Sequence, residues 1–259
     1  MKVVVLHGSP RKGNTDAVVE KVKTAAMRQE KVEFLDFYLP KDAPVFCHGC
    51  FVCFERGEDA CPNAGYIQPI ARAIEEADGL IIAAPIYVMQ IPGALKAFLD
   101  HMAYRYLNHR PRYFHQKAMI ITTTAGAGNR NAHRYLKQNL SFWGITRITT
   151  LGITLQAASM DDMPAGRRQK AETLIDRKSR EWIHSLTGSD PESRAPFISV
   201  IMFHISRALM HMMPENHADR TYWEQQGWMD PKNQFYATGI SPAWYKILAG
   251  KAAARFTFK

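Results

Sequence analysis

The sequence predicts an α/β fold: a doubly wound parallel sheet of five strands with helices on both faces, followed by a C-terminal helical and irregular extension. Three observations predict it. Short, almost continuously apolar runs such as residues 79–84 (GLIIAA) are typical of strands buried on both sides. Stretches with helical periodicity separate these runs, as crossovers between parallel strands require. Polar or small-residue loops follow three of the strands, at the sheet edge where α/β proteins bind ligands.

Five segments supply the strands. The first is a β-branched run at residues 2–6 (KVVVL), and the second, residues 32–37 (VEFLDF), alternates apolar and polar positions. Buried runs follow at residues 79–84 and 117–123 (KAMIITT), and the fifth strand is predicted at residues 146–154. Flanking turn residues bound each segment, which favours strands over buried helices.

Helices are predicted between these strands. Residues 15–30 carry an apolar stripe at helical spacing, and residues 93–107 carry a second one on a single side. Shorter or more charged amphipathic stretches complete the set, at residues 69–76, 131–143 and 165–186.

The composition shifts after residue 186. We predict a domain at residues 1–186 and an extension at residues 187–259, joined by a linker at residues 187–196 (TGSDPESRAP). Residues 197–213 (FISVIMFHISRALMHMM) predict a helix that packs on the domain or on a second subunit, or that lies in a membrane interface. Residues 222–259, rich in Trp, Tyr, Gly and Pro, are predicted to wrap irregularly over the body.

The charge and composition of the chain restrict the classes of partner that it can bind. The formal net charge of +9 over 259 residues favours anionic partners, but the Lys and Arg residues are scattered and form no nucleic-acid-binding arm. The N-terminal apolar stretch is too short for a signal peptide, and no stretch approaches the ~20 apolar residues of a membrane span. We therefore expect a cytoplasmic protein without a transmembrane segment.

The loop HGSPRKGNT, residues 7–15, follows the first strand and opens a helix. The free N–H groups and positive dipole end of a helix N-terminus attract phosphate, and Ser9, Thr15 and Arg11 add hydroxyls and charge. The loop lacks the lysine of GxxxxGK[ST], because Asn14 stands in its place, and it contains no GxGxxG. Alone, it predicts either a phosphate cradle or a plain turn.

Two further loops follow later strands. Residues 85–92 (PIYVMQIP) present Tyr87 and Met89, which offer either a surface for a planar ring or a cap for the core. Residues 122–130 (TTTAGAGNR) are small enough for backbone N–H groups to approach a ligand closely. Together the three loops converge on one crevice at the carboxyl edge of the sheet.

These motifs, GSPRKGNT, APIYVMQIPGALKAFLDH and TTTAGAG, resemble those of the NAD(P)H-dependent FMN reductase family of flavodoxin-like proteins. The resemblance covers roughly residues 1–186 and implies a flavodoxin-like fold, bound FMN and a homodimer. It implies that the loop at residues 7–15 holds the FMN phosphate, that residues 85–89 lie along the isoalloxazine and that residues 124–126 close over it. The implied cofactor-binding residues are Ser9, Arg11, Lys12, Gly13, Asn14, Thr15, Pro85, Ile86, Tyr87, Val88, Met89, Thr124, Ala125 and Gly126.

The four cysteines of the chain form one cluster, Cys47-x2-Cys50-x2-Cys53-x7-Cys61. This spacing resembles that of the iron–sulfur flavoproteins, a branch of the same family, and implies a [4Fe–4S] cluster. Reduced free thiols are the second alternative, and zinc or a disulfide is the third.

The function expected from the resemblance is electron transfer from NAD(P)H through FMN to a quinone, another small molecule or a redox protein. Because the flavin performs the hydride chemistry, no side chain is predicted to be catalytic. The alternatives are a non-enzymatic electron carrier with an iron–sulfur cluster, and a flavin-binding module whose C-terminal tail docks a partner or a membrane.

Overall fold

The structure, a computed structural model, describes residues 1–188, 195–236 and 240–257. Part of the predicted linker, residues 189–194, lies outside the described residues, as do residues 237–239 and 258–259 of the predicted irregular segment.

The predicted five-stranded parallel sheet is confirmed. Its strands are β1 (Lys2–His7), β2 (Glu33–Tyr38), β3 (Gly79–Pro85), β4 (Lys117–Thr124) and β5 (Arg147–Thr154), in the spatial order β2-β1-β3-β4-β5. Every neighbouring pair is parallel. The strand order reverses between β1 and β3, so the ends of these two strands form the crevice where such sheets bind ligands.

Helices cover both faces of the sheet. On one face α1 (Asn14–Met27) and α6 (Ala165–Thr187) pack over Val3 and Val5 of β1. On the other face α3 (Ala64–Glu75), α4 (Gly93–His101) and α5 (Asn129–Phe142) pack over Val4 and Leu6. Because both sets of side chains are buried, β1 is apolar along its length rather than alternating. A one-turn helix, α2 (Val52–Glu55), precedes the 3-10 helix Glu58–Ala60, and a second 3-10 helix, Ala103–Asn108, follows α4.

Two predicted elements are wrong in their extent. The helix predicted at residues 69–76 begins at Ala64, so Pro69 lies inside α3 rather than at its start. Only one helical hydrogen bond needs the missing N–H of Pro69, and Ile67, Ile70 and Ile74 bury the helix despite that loss. Similarly, the helix predicted to run to residue 107 ends at His101 and gives way to the 3-10 helix.

The C-terminal extension contains α7 (Phe197–Met212), α8 (Ala218–Gln225) and α9 (Trp244–Thr257). The prediction of irregular structure over residues 222–259 is therefore wrong for α9. Its run KILAGKAAAR consists largely of strong helix formers, which outweigh the Trp, Tyr and Pro residues before it. Across the described residues, no helix combines the length and apolar character that crossing a bilayer requires.

An apolar cluster separate from the two layers that cover the sheet stabilises this extension. Phe203 of α7 stacks against Trp223 of α8, with ring centroids 5.4 Å apart, and Trp228 and Tyr236 complete the cluster. The Trp223 Nε1–H donates to the carbonyl of His109 at 2.7 Å. The Tyr222 hydroxyl donates to the carbonyl of Pro111 at 2.8 Å. These bonds fasten α8 to the segment that follows α4.

His204 of α7 predicts a pH dependence of stability. The side chain is 3% exposed, and burial, together with the nearby charges of Arg207 and Lys251, lowers the pKa of His204 to about 4. The unfolded imidazole titrates near 6.5, so between these values the unfolded chain binds a proton that the folded chain does not. We therefore expect the free energy of unfolding to decrease as the pH falls through this window, by up to about 1.4 kcal/mol per pH unit.

Urea denaturation at several pH values measures this slope. His204→Gln should flatten it, and an unchanged slope would contradict the assignment. A residual slope of the same sign is expected in the variant, because burial and Lys137 lower the pKa of His133 to about 4 as well.

Candidate functional site

A cavity of about 700 Å³ opens at the carboxyl edge of the sheet, between the ends of β1, β3, β4 and β5. It brings together most of the residues that the sequence predicts for a cofactor. Those lining the cavity are Ser9, Arg11, Lys12, Gly13, Asn14, Thr15, Pro85, Ile86, Tyr87, Thr124 and Ala125. The predicted residues Val88, Met89 and Gly126 do not line it. Whether these residues bind a cofactor stays a prediction.

The start of α1 forms one wall of the cavity. Its N-cap is Gly13, and no side chain there accepts a hydrogen bond from the first turn. The N–H groups of that turn are thus left for another acceptor, and the helix dipole favours an anionic one. The Ser9 hydroxyl accepts from the Arg11 N–H at 3.3 Å, which folds the loop back on itself.

Two side chains of this turn tie it to other loops. The Asn14 amide donates to the carbonyl of Ala158 at 2.8 Å. The Thr15 hydroxyl lies 2.6 Å from the Thr123 hydroxyl at the end of β4. The start of α1 is therefore fixed against β4 and against the segment that follows β5, which gives the wall a defined position.

Beside this wall, His7 joins two carboxylates. Its Nε2 lies 2.7 Å from Asp36 and its Nδ1 lies 3.6 Å from Asp16, while its ring stacks on Tyr38 with centroids 4.1 Å apart. Burial opposes ionisation of Asp36, but hydrogen bonds from His7 and Lys23 outweigh it and hold the pKa of that carboxyl below its usual value. Burial and the two carboxylates raise the pKa of Tyr38 to about 12. The network fastens the ends of β1 and β2 to α1.

The β3–α4 loop makes a tight turn at the rim. The backbones of Tyr87 and Gln90 exchange two hydrogen bonds of 2.9 Å, and the residues between them, Val88 and Met89, adopt positive φ angles of 46° and 64°. A β-branched residue is strained in this region. The turn points Val88 into solvent, where it is 97% exposed, and this explains why the tip leaves the cavity while Tyr87 stays beside it.

The β4–α5 loop packs on this turn through Gly128. Its φ is +107°, and a Cβ built there would lie 2.6 Å from Ile86 Cγ2 and 3.0 Å from the Cα of Met89. Glycine is therefore required both for its backbone conformation and for the close approach of the two loops.

Gly128→Ala should consequently lower the free energy of unfolding by about 1–3 kcal/mol, since it adds both backbone strain and overlap with Ile86. Gly126→Ala is the matched control, because a Cβ at that position meets nothing within 4 Å. Chemical denaturation of the two variants measures the difference, and equal stabilities would show that the two loops do not constrain each other.

Sequence reasoning missed several residues that line the cavity. His7 and Thr123 lie within two of the predicted loops, and Asp16, Ala17 and Ala83 belong to the elements beside them. A fourth loop, after β5, adds Leu155, Ala157, Ala158 and Ser159. The sequence LQAAS at residues 155–159 is a small-residue segment that follows a strand, so the rule applied to the other three loops was sufficient to find it.

The four predicted metal ligands lie in a second cavity. Cys47, Cys50, Cys53 and Cys61 all line a space of about 100 Å³, and none forms a disulfide. Burial raises the pKa of the Cys53 thiol to about 11. Among the described residues, no three His, Cys, Asp or Glu side chains are placed to hold one metal ion. Within the described part of the chain, the two cavities share no lining residue.

Residues 1–158 match the family model of NADPH-dependent FMN reductases. An iron–sulfur flavoprotein of Archaeoglobus fulgidus is 25% identical over 238 residues, which cover 88% of this chain and 100% of that protein. An iron–sulfur flavoprotein of Methanocaldococcus jannaschii is 33% identical over 102 residues, 39% of this chain and 51% of that protein.

Among solved structures, the apo form of an NADH:FMN oxidoreductase is similar in fold. It superposes with a TM-score of 0.52 at 20% identity, over 73% of this chain and 91% of that chain.

Proposed function

The chain belongs to the NADPH-dependent FMN reductase family, and from this membership we propose how its residues serve an FMN-dependent oxidation of NAD(P)H. The family and the flavodoxin-like fold predicted from the sequence are confirmed. The observation that carries the proposal is the cavity of about 700 Å³ at the reversal point of the sheet, with the start of α1 open to an anion on one wall.

The residues around this cavity suit FMN. The N–H groups at the start of α1, with Ser9, Arg11 and Lys12, would bind the phosphate, and Ile86 and Tyr87 would lie along the ring system. When bound, FMN accepts a hydride from NAD(P)H and passes the electrons to an acceptor. The chain binds and orients the cofactor and screens one face of it from water, and no side chain needs to transfer a proton.

Steady-state kinetics tests the proposal. Protein reconstituted with FMN should oxidise NADH or NADPH continuously when a quinone or an azo compound is present as acceptor. A protein that binds FMN but supports only a single reduction per flavin would instead be an electron carrier. A protein that binds no FMN would contradict the proposal altogether.

A second candidate function, that of an iron–sulfur flavoprotein, is supported by the cysteine cavity. We propose that Cys47, Cys50, Cys53 and Cys61 hold a [4Fe–4S] cluster, whose ligand set is four thiolates. Each thiolate of such a cube binds a different iron, so the ligands must surround a space rather than meet at a single ion. The four cysteines line one cavity and are free of disulfides, which supports this proposal. When bound, the cluster would pass single electrons.

Iron and acid-labile sulfide, assayed on anaerobically purified protein, test this second candidate. We expect about four irons per chain, and Cys53→Ser should lose iron while keeping FMN. Flavin without iron in the unsubstituted protein would contradict the cluster and leave reduced thiols, zinc or a disulfide as the alternatives.

We also propose a homodimer, a division of the chain into two parts and a cytoplasmic location. A homodimer is supported by the apolar turn residues Tyr87, Val88 and Met89, which are exposed at the rim of the FMN cavity. Light scattering tests it. The division into residues 1–186 and 187–259 is testable by limited proteolysis. A cytoplasmic location is supported by the four free cysteines, which persist in reducing compartments.

A further inference from the structure

The helices α7 and α9 carry an unusual share of the exposed apolar surface. Of the fifteen large hydrophobic side chains that are exposed in the described residues, seven lie on these two helices. Five of the seven, Phe197, Ile198, Trp244, Tyr245 and Leu248, lie in the first turns of the two helices, and we call these five the apolar face of the extension; Met212 and Phe256 lie near the helix ends. Large exposed apolar patches on a folded chain mark interaction surfaces.

The outward side of α9 is one continuous stripe. Trp244, Leu248, Lys251 and Arg255 follow each other at helical spacing, and all four are exposed. The inward side of α9 packs on α7 through Gly250, where a Cβ would lie 2.4 Å from His204. The orientation of α9 is therefore fixed, and the stripe faces away from the protein.

A hydrogen bond aligns the beginnings of the two helices. The Lys246 ammonium donates to the carbonyl of Ala195, just before α7, at 2.7 Å. This bond places the first turn of α9, with Trp244 and Tyr245, beside the beginning of α7, where Phe197 and Ile198 are exposed. Aromatic and aliphatic side chains thus gather at one end of the helix pair.

The charge on this surface has one sign. The segments 195–213 and 240–257 contain no Asp or Glu, while they contain Arg207, Lys246, Lys251 and Arg255. Arg207 and Lys246 are engaged with backbone carbonyls. Lys251 and Arg255 are exposed and form no ion pair among the described residues. Their charge is available to a partner.

We propose that the apolar face of the extension binds the surface of an anionic lipid bilayer. Aromatic side chains prefer the headgroup level of a bilayer, and basic side chains beside them bind anionic headgroups. The helices are short for a span, since 14 residues of α9 extend about 21 Å, so the contact lies in the interface. A second copy is a poorer occupant, because a symmetric dimer through this face would oppose two acid-free basic surfaces.

Sedimentation of the full chain with phosphatidylcholine vesicles, with and without phosphatidylglycerol, tests the proposal. Binding should require the anionic lipid and should weaken as salt is added. Each basic residue near an anionic surface strengthens binding roughly fivefold, so Lys251→Gln combined with Arg255→Gln should weaken it roughly 30-fold. Lys170→Gln combined with Arg177→Gln on α6 is the matched control, because both residues are exposed and the change in charge is the same.

Tryptophan fluorescence provides a second readout. Trp244 is 73% exposed, whereas the other four tryptophans, Trp143, Trp182, Trp223 and Trp228, are at most 5% exposed. Insertion of the apolar face should shift the emission of Trp244 to the blue and protect it from acrylamide, and Trp244→Phe should abolish both changes.

Three results would overturn the proposal. They are no binding to anionic vesicles, equal binding by the α6 control and the α9 double variant, and a change of oligomeric state in Trp244→Ala measured by light scattering without lipid. The last result would assign the face to a second copy. None of these readouts depends on FMN or on NAD(P)H oxidation, so the membrane contact and the enzymatic function stand or fall separately.

Discussion

Ser9→Asp is expected to weaken FMN binding by roughly 100-fold or more while changing riboflavin binding only a few-fold. Ser9 is 9% exposed and lines the large cavity together with the start of α1. A carboxylate there would repel the FMN phosphate, which carries close to two negative charges at neutral pH. At roughly 4–5 Å and an effective dielectric constant near 20, two unit charges repel by about 3–4 kcal/mol.

The substitution keeps the loop intact. The Ser9 oxygen accepts a hydrogen bond from the Arg11 N–H, and an aspartate oxygen can accept the same bond. Ser9→Ala is the matched control for the lost hydroxyl, and we expect it to cost roughly tenfold at most in FMN affinity. Fluorescence titration with FMN and riboflavin measures the affinities of both variants and of the unsubstituted protein.

Comparison with riboflavin, which lacks the phosphate, distinguishes repulsion of the phosphate from distortion of the cavity. Equal losses for FMN and riboflavin would show that Ser9→Asp distorts the cavity rather than repelling a phosphate. Unchanged FMN affinity would place the phosphate elsewhere, and the proposed assignment of the β1–α1 loop would then fail.

The sheet and the edge that carries the cavity could be predicted because the sequence patterns that indicate them are local. The apolar strand β1 and the loop from Gly8 to Thr15 carry their own patterns, and the parallel topology then brings the loops after β1, β3 and β4 to one edge. The fourth loop, at residues 155–159, follows β5 at the same edge, so the same logic could have predicted it as well.

Other features depend on pairs that are distant in sequence. The contacts of His7 with Asp36 and of Gly128 with Ile86 follow from register and loop packing, which no local pattern encodes. Val88 and Met89 leave the cavity because their turn adopts positive φ angles, which a Val-Met sequence does not predict. The helix α9 was missed because the aromatic residues before it resemble those of an irregular tail.

The C-terminal extension is joined to the cysteine loop by buried charges, and Asp219 is the centre of this junction. Its side chain is fully buried; one oxygen lies 3.1 Å from Arg110 Nε and the other lies 2.7 Å from His109 Nδ1. Arg110 also pairs with Glu58 at 3.0 Å and donates to the carbonyl of Cys53. Asp219 of α8 therefore holds, through Arg110, the backbone that carries the third cysteine.

Asp219→Ala is expected to lower the free energy of unfolding by about 3 kcal/mol or more, because it leaves the buried Arg110 with one carboxylate instead of two. Asp219→Asn retains an acceptor for His109 and should cost less. Asp100→Ala is the control, since it breaks the exposed Lys96–Asp100 pair and should cost about 0.5 kcal/mol or less. Urea denaturation gives the three values.

Thiol reactivity separates a local role of Asp219 from a general loss of stability. Cys53 is half-buried and its carbonyl is held by Arg110, whereas Cys47 is exposed and outside this network. Loosening the network should expose Cys53, so its alkylation by iodoacetamide in the folded, iron-free protein should become several-fold faster in Asp219→Asn, with Cys47 unchanged. Equal rates in the variant and the unsubstituted protein, together with a stability loss no larger than that of Asp100→Ala, would show that the extension does not position the cysteine loop. The expected result would instead make α8 a structural support of the proposed cluster site, since the third ligand would owe its place to a carboxylate 166 positions further along the chain.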